Sequence, residues 1–119
     1  MPTDLPAADV WTLLADIADD TPDATAFIHG DHRLSFAALL EASLRAARGL
    51  SDLGVGPGDR VALWLPNVPA YPILYFACAR LGAIAVAVNT RYRAVEVADI
   101  VDRSGAKVLA CRSEEHTSE

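Results

Sequence analysis

The sequence predicts an α/β fold: a partial parallel-sheet layer with helices, preceded by a helix and a β-hairpin. Three observations predict it. From Arg60 onward, strand-length apolar runs alternate with segments of helical period, in the order strand, helix, strand, helix, strand. The run AIAVAV at 83–88 is apolar throughout, as a parallel strand covered on both faces should be. Upstream, Gly30-Asp31 separates two short extended runs and is a two-residue hairpin signal.

The elements follow in order. Val10, Leu13, Leu14 and Ile17 recur at helical spacing, so Asp9 to about Ala18 is a short amphipathic helix. Asp19, Asp20, Pro22 and Asp23 end it; this acidic cluster reads as a solvated turn rather than a metal site. Residues 24–29 and 32–34 are the hairpin strands. Ser35 caps the next helix, with Leu34 and Leu39 placed to form a hydrophobic staple. Phe36, Leu39, Leu40, Leu44, Ala47 and Leu50 give that helix one apolar face. Ser43 falls in the same stripe, where its hydroxyl is expected to bond back to the preceding turn. Arg45 and Arg48 sit toward the end that favours cations, and Gly54 is a left-handed stop.

Val61, Leu63 and Leu65 alternate as a strand, which Pro66 ends. The next helix begins near Asn67 or Val68; with Val68 as its cap, Pro69 takes the first helical position and Pro72 the fourth. It is apolar nearly all round and stops at Gly82. After the 83–88 strand comes a helix from Ala94 to Arg103, stopped by Ser104-Gly105, and a last strand from Lys107 to Cys111.

The stretch GVGPGDRVALWLPN, Gly54 to Asn67, invites a phosphate-loop reading. A dinucleotide fingerprint runs strand, glycines, helix, so that a helix N-terminus meets the phosphate. Here the glycines follow a helix and precede a strand. Gly54, Gly56 and Gly58 are therefore expected to be turn residues, with Pro57 fixing the bend.

Composition narrows the function classes. The 119 residues suffice for one domain of modest size. With 52% hydrophobic and 22% charged residues the chain belongs with globular proteins. A net charge of −6 and scattered arginines argue against a nucleic-acid partner. Lys107 is the only lysine among many Arg and Ala, a usage expected of GC-rich coding sequence and hence a bacterial source. Cys78 and Cys111 make no disulfide framework and no CxxC; two reduced thiols in a cytosolic core are expected. Met1 to Asp9 has no basic or apolar signal region, so a cytoplasmic location is expected. His29 and His32 face a metal reading weakened by the lack of a third ligand, and no metal site is expected. Residues 71–88 are nearly long enough to span a bilayer. Arg80 and Gly82 interrupt them and Pro72 lies near their start, so a buried helix followed by a buried strand is the reading preferred over a membrane span.

The tail RSEEHTSE, 112–119, is polar and aperiodic. It matches, residue for residue, one reading frame of a common DNA-sequencing adaptor. The expected organisation is thus a native unit over 1–111 and a non-native tail over 112–119, with the natural sequence departing near Cys111.

Several motifs, in order, carry a family resemblance. They are Leu34-Ser35-Phe36 before a helix ending at Gly54, Gly58-Asp59-Arg60-Val61 entering a strand, Pro66-Asn67, Leu81-Gly82-Ala83, VNTRY at 88–92 followed by Glu96, and Ser104-Gly105-Ala106. From about Val10 to Cys111 the chain resembles the N-terminal part of the acyl-adenylate-forming enzymes. These are the AMP-binding acyl-CoA synthetases, with luciferases and peptide-synthetase adenylation domains as relatives. The family usually has proline where Ala87 and Thr90 stand, and often an acid near Ala70; these departures blur the subfamily.

The resemblance implies an N-terminal piece of the large domain of a carboxylic acid–CoA ligase of the fatty-acid–CoA ligase kind. Such an enzyme uses ATP and Mg²⁺ to make an acyl-adenylate from a carboxylic acid, then passes the acyl group to coenzyme A. The family's phosphate loop with its lysine, its later acidic and arginine motifs, and its lid lysine have no counterpart in residues 1–119. The resemblance therefore implies no catalytic residue in this chain, no cofactor bound by it alone, and no activity by it alone. One ligand contact is implied: Arg91 aligns with an arginine that in some relatives lies near the phosphates of coenzyme A. The alternatives are a freestanding α/β binding module and a membrane-associated protein with a span near 71–88.

Overall fold

The structure, a computed structural model, describes residues 7–112. Its elements are α1 (Ala7–Asp20), β1 (Thr25–His29), β2 (His32–Ser35), α2 (Phe36–Asp52), β3 (Arg60–Trp64), α3 (Ala70–Leu81), β4 (Ile84–Ala87), α4 (Ala94–Ser104) and β5 (Val108–Cys111). β1 and β2 form an antiparallel hairpin. β3, β4 and β5 form a three-stranded parallel sheet in the order β4-β3-β5. The α/β class, the hairpin and the parallel layer expected from the sequence are all present. The tail beyond Arg112 lies outside the described residues.

β3 is the spine of the fold. It is paired on both sides, Val61 with Ala85 and Val108, and Leu63 with Ala87 and Ala110. Val61, Ala62 and Leu63 are all fully buried. The alternation in this strand is therefore one of size and not of exposure. Val61 and Leu63 pack with Leu50 of α2 and Ala77 and Cys78 of α3. Ala62 faces the other way, against Val88 just after β4 and Val97 of α4. Helices thus cover both faces of the central strand, the usual arrangement for parallel sheets.

α2 is bound tightly at both ends. Its first three amides all have acceptors: Phe36 N donates to Ala24 O (3.0 Å), Ala37 N to Pro22 O (3.0 Å) and Ala38 N to the Ser35 hydroxyl (3.1 Å). The capping role read for Ser35 is therefore observed. At the far end Gly54, at φ +94°, lets Gly54 N reach Ser51 O (2.9 Å) and Val55 N reach Leu50 O (3.0 Å). That pair of bonds is the Schellman closure, and the Val55 and Leu50 side chains share one core cluster.

Several local expectations are corrected. α1 runs two residues further at each end than its apolar spacing marks; at its C-terminal end Asp19 and Asp20 are exposed, where water screens their unfavourable interaction with the helix dipole. α2 runs to Asp52, so Arg48 is not in its last turn; Arg45 instead pairs with Glu41 one turn back (3.6 Å). Leu44, counted on the buried face, is 37% exposed. Ser43 is fully buried, yet its hydroxyl has no hydrogen-bond partner. α3 starts at Ala70 with Pro69 as its cap, one residue later than expected, since Asn67 and Val68 turn through Val68 N to Pro66 O (2.8 Å). β4 is not covered on both faces. It is an edge strand, and Ile84 is 46% exposed. The apolar run describes a strand that wants more neighbours than these residues supply.

The apolar stretch 71–88 divides at Gly82 into a helix and a strand. Among the described residues no helix is long and apolar enough to cross a membrane. Arg80, the charge inside that stretch, lies 5.5 Å from the centroid of the Trp11 ring on α1. Such a stacked cation is attracted by the ring face and keeps its charge toward water.

Candidate functional site

The glycine stretch folds as a turn. Asp59 N donates to Gly56 O (3.1 Å), and Gly58 takes φ +81° at the third position, which is the type II turn with Pro57 at its second. Each glycine amide is already used. Gly54 N goes to Ser51 O, Gly58 N to Gly82 O (2.9 Å), and Gly56 N to the Asp59 carboxylate (2.8 Å). A phosphate cradle needs free, converging amides. This loop offers none and presents a carboxylate where the anion would sit. The residues present therefore do not fit the phosphates of ATP.

Asp59 is held further by Lys107, whose ammonium lies 3.1 Å from the same carboxylate oxygen and 3.1 Å from Gly54 O. The Gly56 amide first, and the Lys107 ammonium second, hold the Asp59 carboxyl below its ordinary value of 3.8, against a smaller opposing effect of desolvation. A carboxyl with a depressed folded pKa stabilises the fold above its unfolded pKa. That contribution is lost as pH falls through the folded value. The urea midpoint should thus lose an Asp59-dependent part as pH falls from the ordinary carboxylate range to below the folded value. Asp59→Asn should remove that part of the acid slope, read by urea titrations from neutral to strongly acid pH.

A better placed feature lies at the opposite end of the sheet. α3 carries the chain from β3 to β4 on one side; α4 carries it back across to β5 on the other. Ligands of open α/β sheets settle outside the carboxyl ends of the strands where this reversal occurs. A cavity of about 300 Å³ lies there, lined by Trp64 and Pro66 after β3, Thr90 after β4, and Cys111 and Arg112 at the end of β5. The lining joins an indole, a hydroxyl, a thiol and a guanidinium. Arg112 belongs to the tail segment that the sequence sets apart.

Arg91 is the neighbour of Thr90. It is four residues beyond the end of β4, in an exposed turn and not at the strand end. The Asn89 side chain accepts from Arg91 N (2.8 Å) and Asn89 O accepts from Tyr92 N (3.1 Å), which fixes the turn. Among the described residues the Arg91 guanidinium has no ion pair or hydrogen bond. Arg93, two residues on, is engaged: its backbone amide donates to Glu96 Oε1 (2.6 Å) at the start of α4, and its guanidinium lies 4.0 Å from the same oxygen. Arg91 is therefore the arginine of this loop with its charge uncommitted.

The other sequence candidates do not converge on this cavity. His29 and His32 face each other across the hairpin and are exposed. No group of three metal-ligating side chains occurs among the described residues. Cys78 is buried and its thiol is pushed up to about 11 by desolvation. Cys111 is exposed at the sheet edge, contrary to the expectation of two core thiols, because β5 has only one strand neighbour. Sequence reasoning missed Trp64 and Thr90 as lining residues. It also missed the Asp59–Lys107 pair, since no local pattern links residues 48 positions apart.

The fold and the position of the cavity place the chain among open α/β domains, and comparison with known proteins makes the family specific. The AMP-binding enzyme family matches residues 14–119, and the chain belongs to it. One relative is a Mycobacterium tuberculosis 3-[(3aS,4S,7aS)-7a-methyl-1,5-dioxo-octahydro-1H-inden-4-yl]propanoyl:CoA ligase, 47% identical over 74% of this chain and 17% of its own length. Another is an Amycolatopsis feruloyl-CoA synthase, 45% identical over 75% of this chain and 18% of its own. Among solved structures, a Mycobacterium tuberculosis fatty acyl CoA synthetase superposes with a TM-score of 0.82 at 35% identity, over 91% of this chain and 22% of that one. An O-succinylbenzoate coenzyme A synthetase from Bacillus subtilis gives 0.79 at 34% identity, over 87% and 22%. The chain therefore spans about a fifth of the length of these relatives.

Proposed function

We propose that this chain is the N-terminal part of an ATP-dependent carboxylic acid–CoA ligase, acting in the cytoplasm of a bacterium. In that reaction a carboxylate attacks the α-phosphate of Mg-ATP and the resulting acyl-adenylate yields its acyl group to the thiol of coenzyme A. The observation that carries this reading is the family match over residues 14–119, joined to relatives that are CoA ligases for chemically unlike acids. What these relatives share with this chain is scaffold, so the acid is set elsewhere in such a protein. The native unit is residues 1–111, with 112–119 a non-native tail.

The role of these residues is structural support plus one ligand contact. Their glycine turn is closed to phosphate, so this loop gives the isolated chain no cradle for the charge on a transferring nucleotide. Carboxylate-dependent ATP–pyrophosphate exchange should be at background with the isolated chain. It should appear when the native gene, continued into a glycine-rich loop with lysine, is expressed whole. Exchange by the isolated chain would sink the claim of inactivity. A native reading frame ending here would sink the ligase reading and favour a freestanding module.

Arg91 is the proposed contact with the phosphates of coenzyme A, supported by its free charge and its place in the exposed turn next to Thr90, which lines the cavity. In the whole enzyme, Arg91→Ala should raise KM for coenzyme A about tenfold, the loss of one charge-assisted contact. The exchange reaction should be unchanged. Steady-state kinetics in coenzyme A check this, and an unaltered KM retires the contact.

A further inference from the structure

The amino ends of all three strands meet at one turn. Asp59 O accepts from Ile84 N at the start of β4 (2.7 Å), and Arg60 O accepts from Lys107 N just before β5 (2.8 Å). The Lys107 ammonium then spans from β5 to the closing carbonyl of α2 at Gly54 and to the Asp59 carboxylate. We propose that Lys107 is a charge-dependent latch that holds β5 on the sheet and, through β5, keeps the far wall of the strand-end cavity in place.

The argument rests on how little else holds β5. It pairs with β3 alone. Val108 and Ala110 pack on the core, while Leu109 and Cys111 point away and are exposed. β4 lies at the other edge and has further backbone ties: Gly58 N binds Gly82 O (2.9 Å) ahead of it, and Val88 N binds Leu63 O (3.0 Å) beyond its end. A strand with one neighbour and one covered face opens locally at low free energy. A side chain that grips two acceptors across its base then controls how often it opens. Cys111 sits at the other end of this four-residue strand and lines the cavity. Loss of the latch at one end therefore loosens the binding wall at the other. Lys107 is half exposed, and it is the only lysine of the chain, so its charge can be removed chemically at a single side chain.

The test is hydrogen exchange on the full 119-residue chain, read separately for peptides covering β4 and β5. Lys107→Gln should speed exchange of the protected β5 amides about tenfold, the scale of losing hydrogen bonds to a charged group, and leave β4 within about twofold. Lys107→Arg, which keeps the charge, should stay close to the parent. Acetylating the parent with acetic anhydride, mapped to Lys107 by mass spectrometry, should reproduce the glutamine variant without any mutation. Asp59→Asn should raise β5 exchange too, and adding Lys107→Gln to it should add little. Unchanged β5 exchange in the glutamine variant overturns the proposal. So does an equal rise in β4 and β5, which would make the pair a contributor to global stability and not a latch.

Discussion

Leu63→Ala should destabilise the chain by about 2–5 kcal/mol, the range for emptying a leucine site in a packed core. Leu63 is fully buried in β3, the only strand, among the described residues, with neighbours on both sides. Its side chain meets a cluster drawn from α2, the glycine turn and α3, including Leu50, Val55 and Ala77. Backbone pairing on both flanks prevents β3 from shifting to refill the space, so the cavity term should be felt nearly in full. Domains of this size have only about 5–15 kcal/mol in total, and one with two open sheet edges belongs near the bottom of that range. The variant should be largely unfolded near body temperature. Urea titration followed by circular dichroism checks this; a loss below about 1 kcal/mol would mean that the three elements do not share one core.

Ser43→Ala should act in the opposite direction. The Ser43 hydroxyl is fully buried on the face of α2 that packs inward, and it has no hydrogen-bond partner. An unsatisfied buried polar group costs about 1–3 kcal/mol. Alanine removes that group, is the best helix former, and leaves a void smaller than a methyl group. A gain of about 1 kcal/mol is expected, raising Tm by about 4–8 °C in a domain of this size. A melting point that falls on substitution would show that the hydroxyl is in fact paired. Ser43→Val separates polarity from volume: it removes the hydroxyl but adds bulk at a close contact, and should lose part of the gain.

The element order is legible in the sequence because it rests on signals written locally, and the family is legible through the resemblance of its ordered motifs. Ser35 before an apolar helix, Pro57-Gly58 in a turn, and Gly82 and Gly105 after helices each act within a few residues, and each does in the structure what the sequence expects. The rejection of a phosphate loop at Gly54–Gly58 is legible too, from helix-before-strand order alone. The partners of the three glycine amides exclude such a loop independently, atom by atom. The candidate site is much less legible. Arg91 stands out only through resemblance, while Trp64, Pro66 and Thr90 come together only because β3 and β4 end side by side.

Local pattern dictates which segments are helix and which are strand, and where each stops, since periodicity, caps and turn residues are properties of neighbouring positions. Packing in three dimensions makes β3 central and β4 an edge, leaves Ser43 without a partner, and brings Lys107 to Asp59. Those outcomes depend on which elements end up adjacent, and adjacency across the sheet is set over separations that no local pattern encodes.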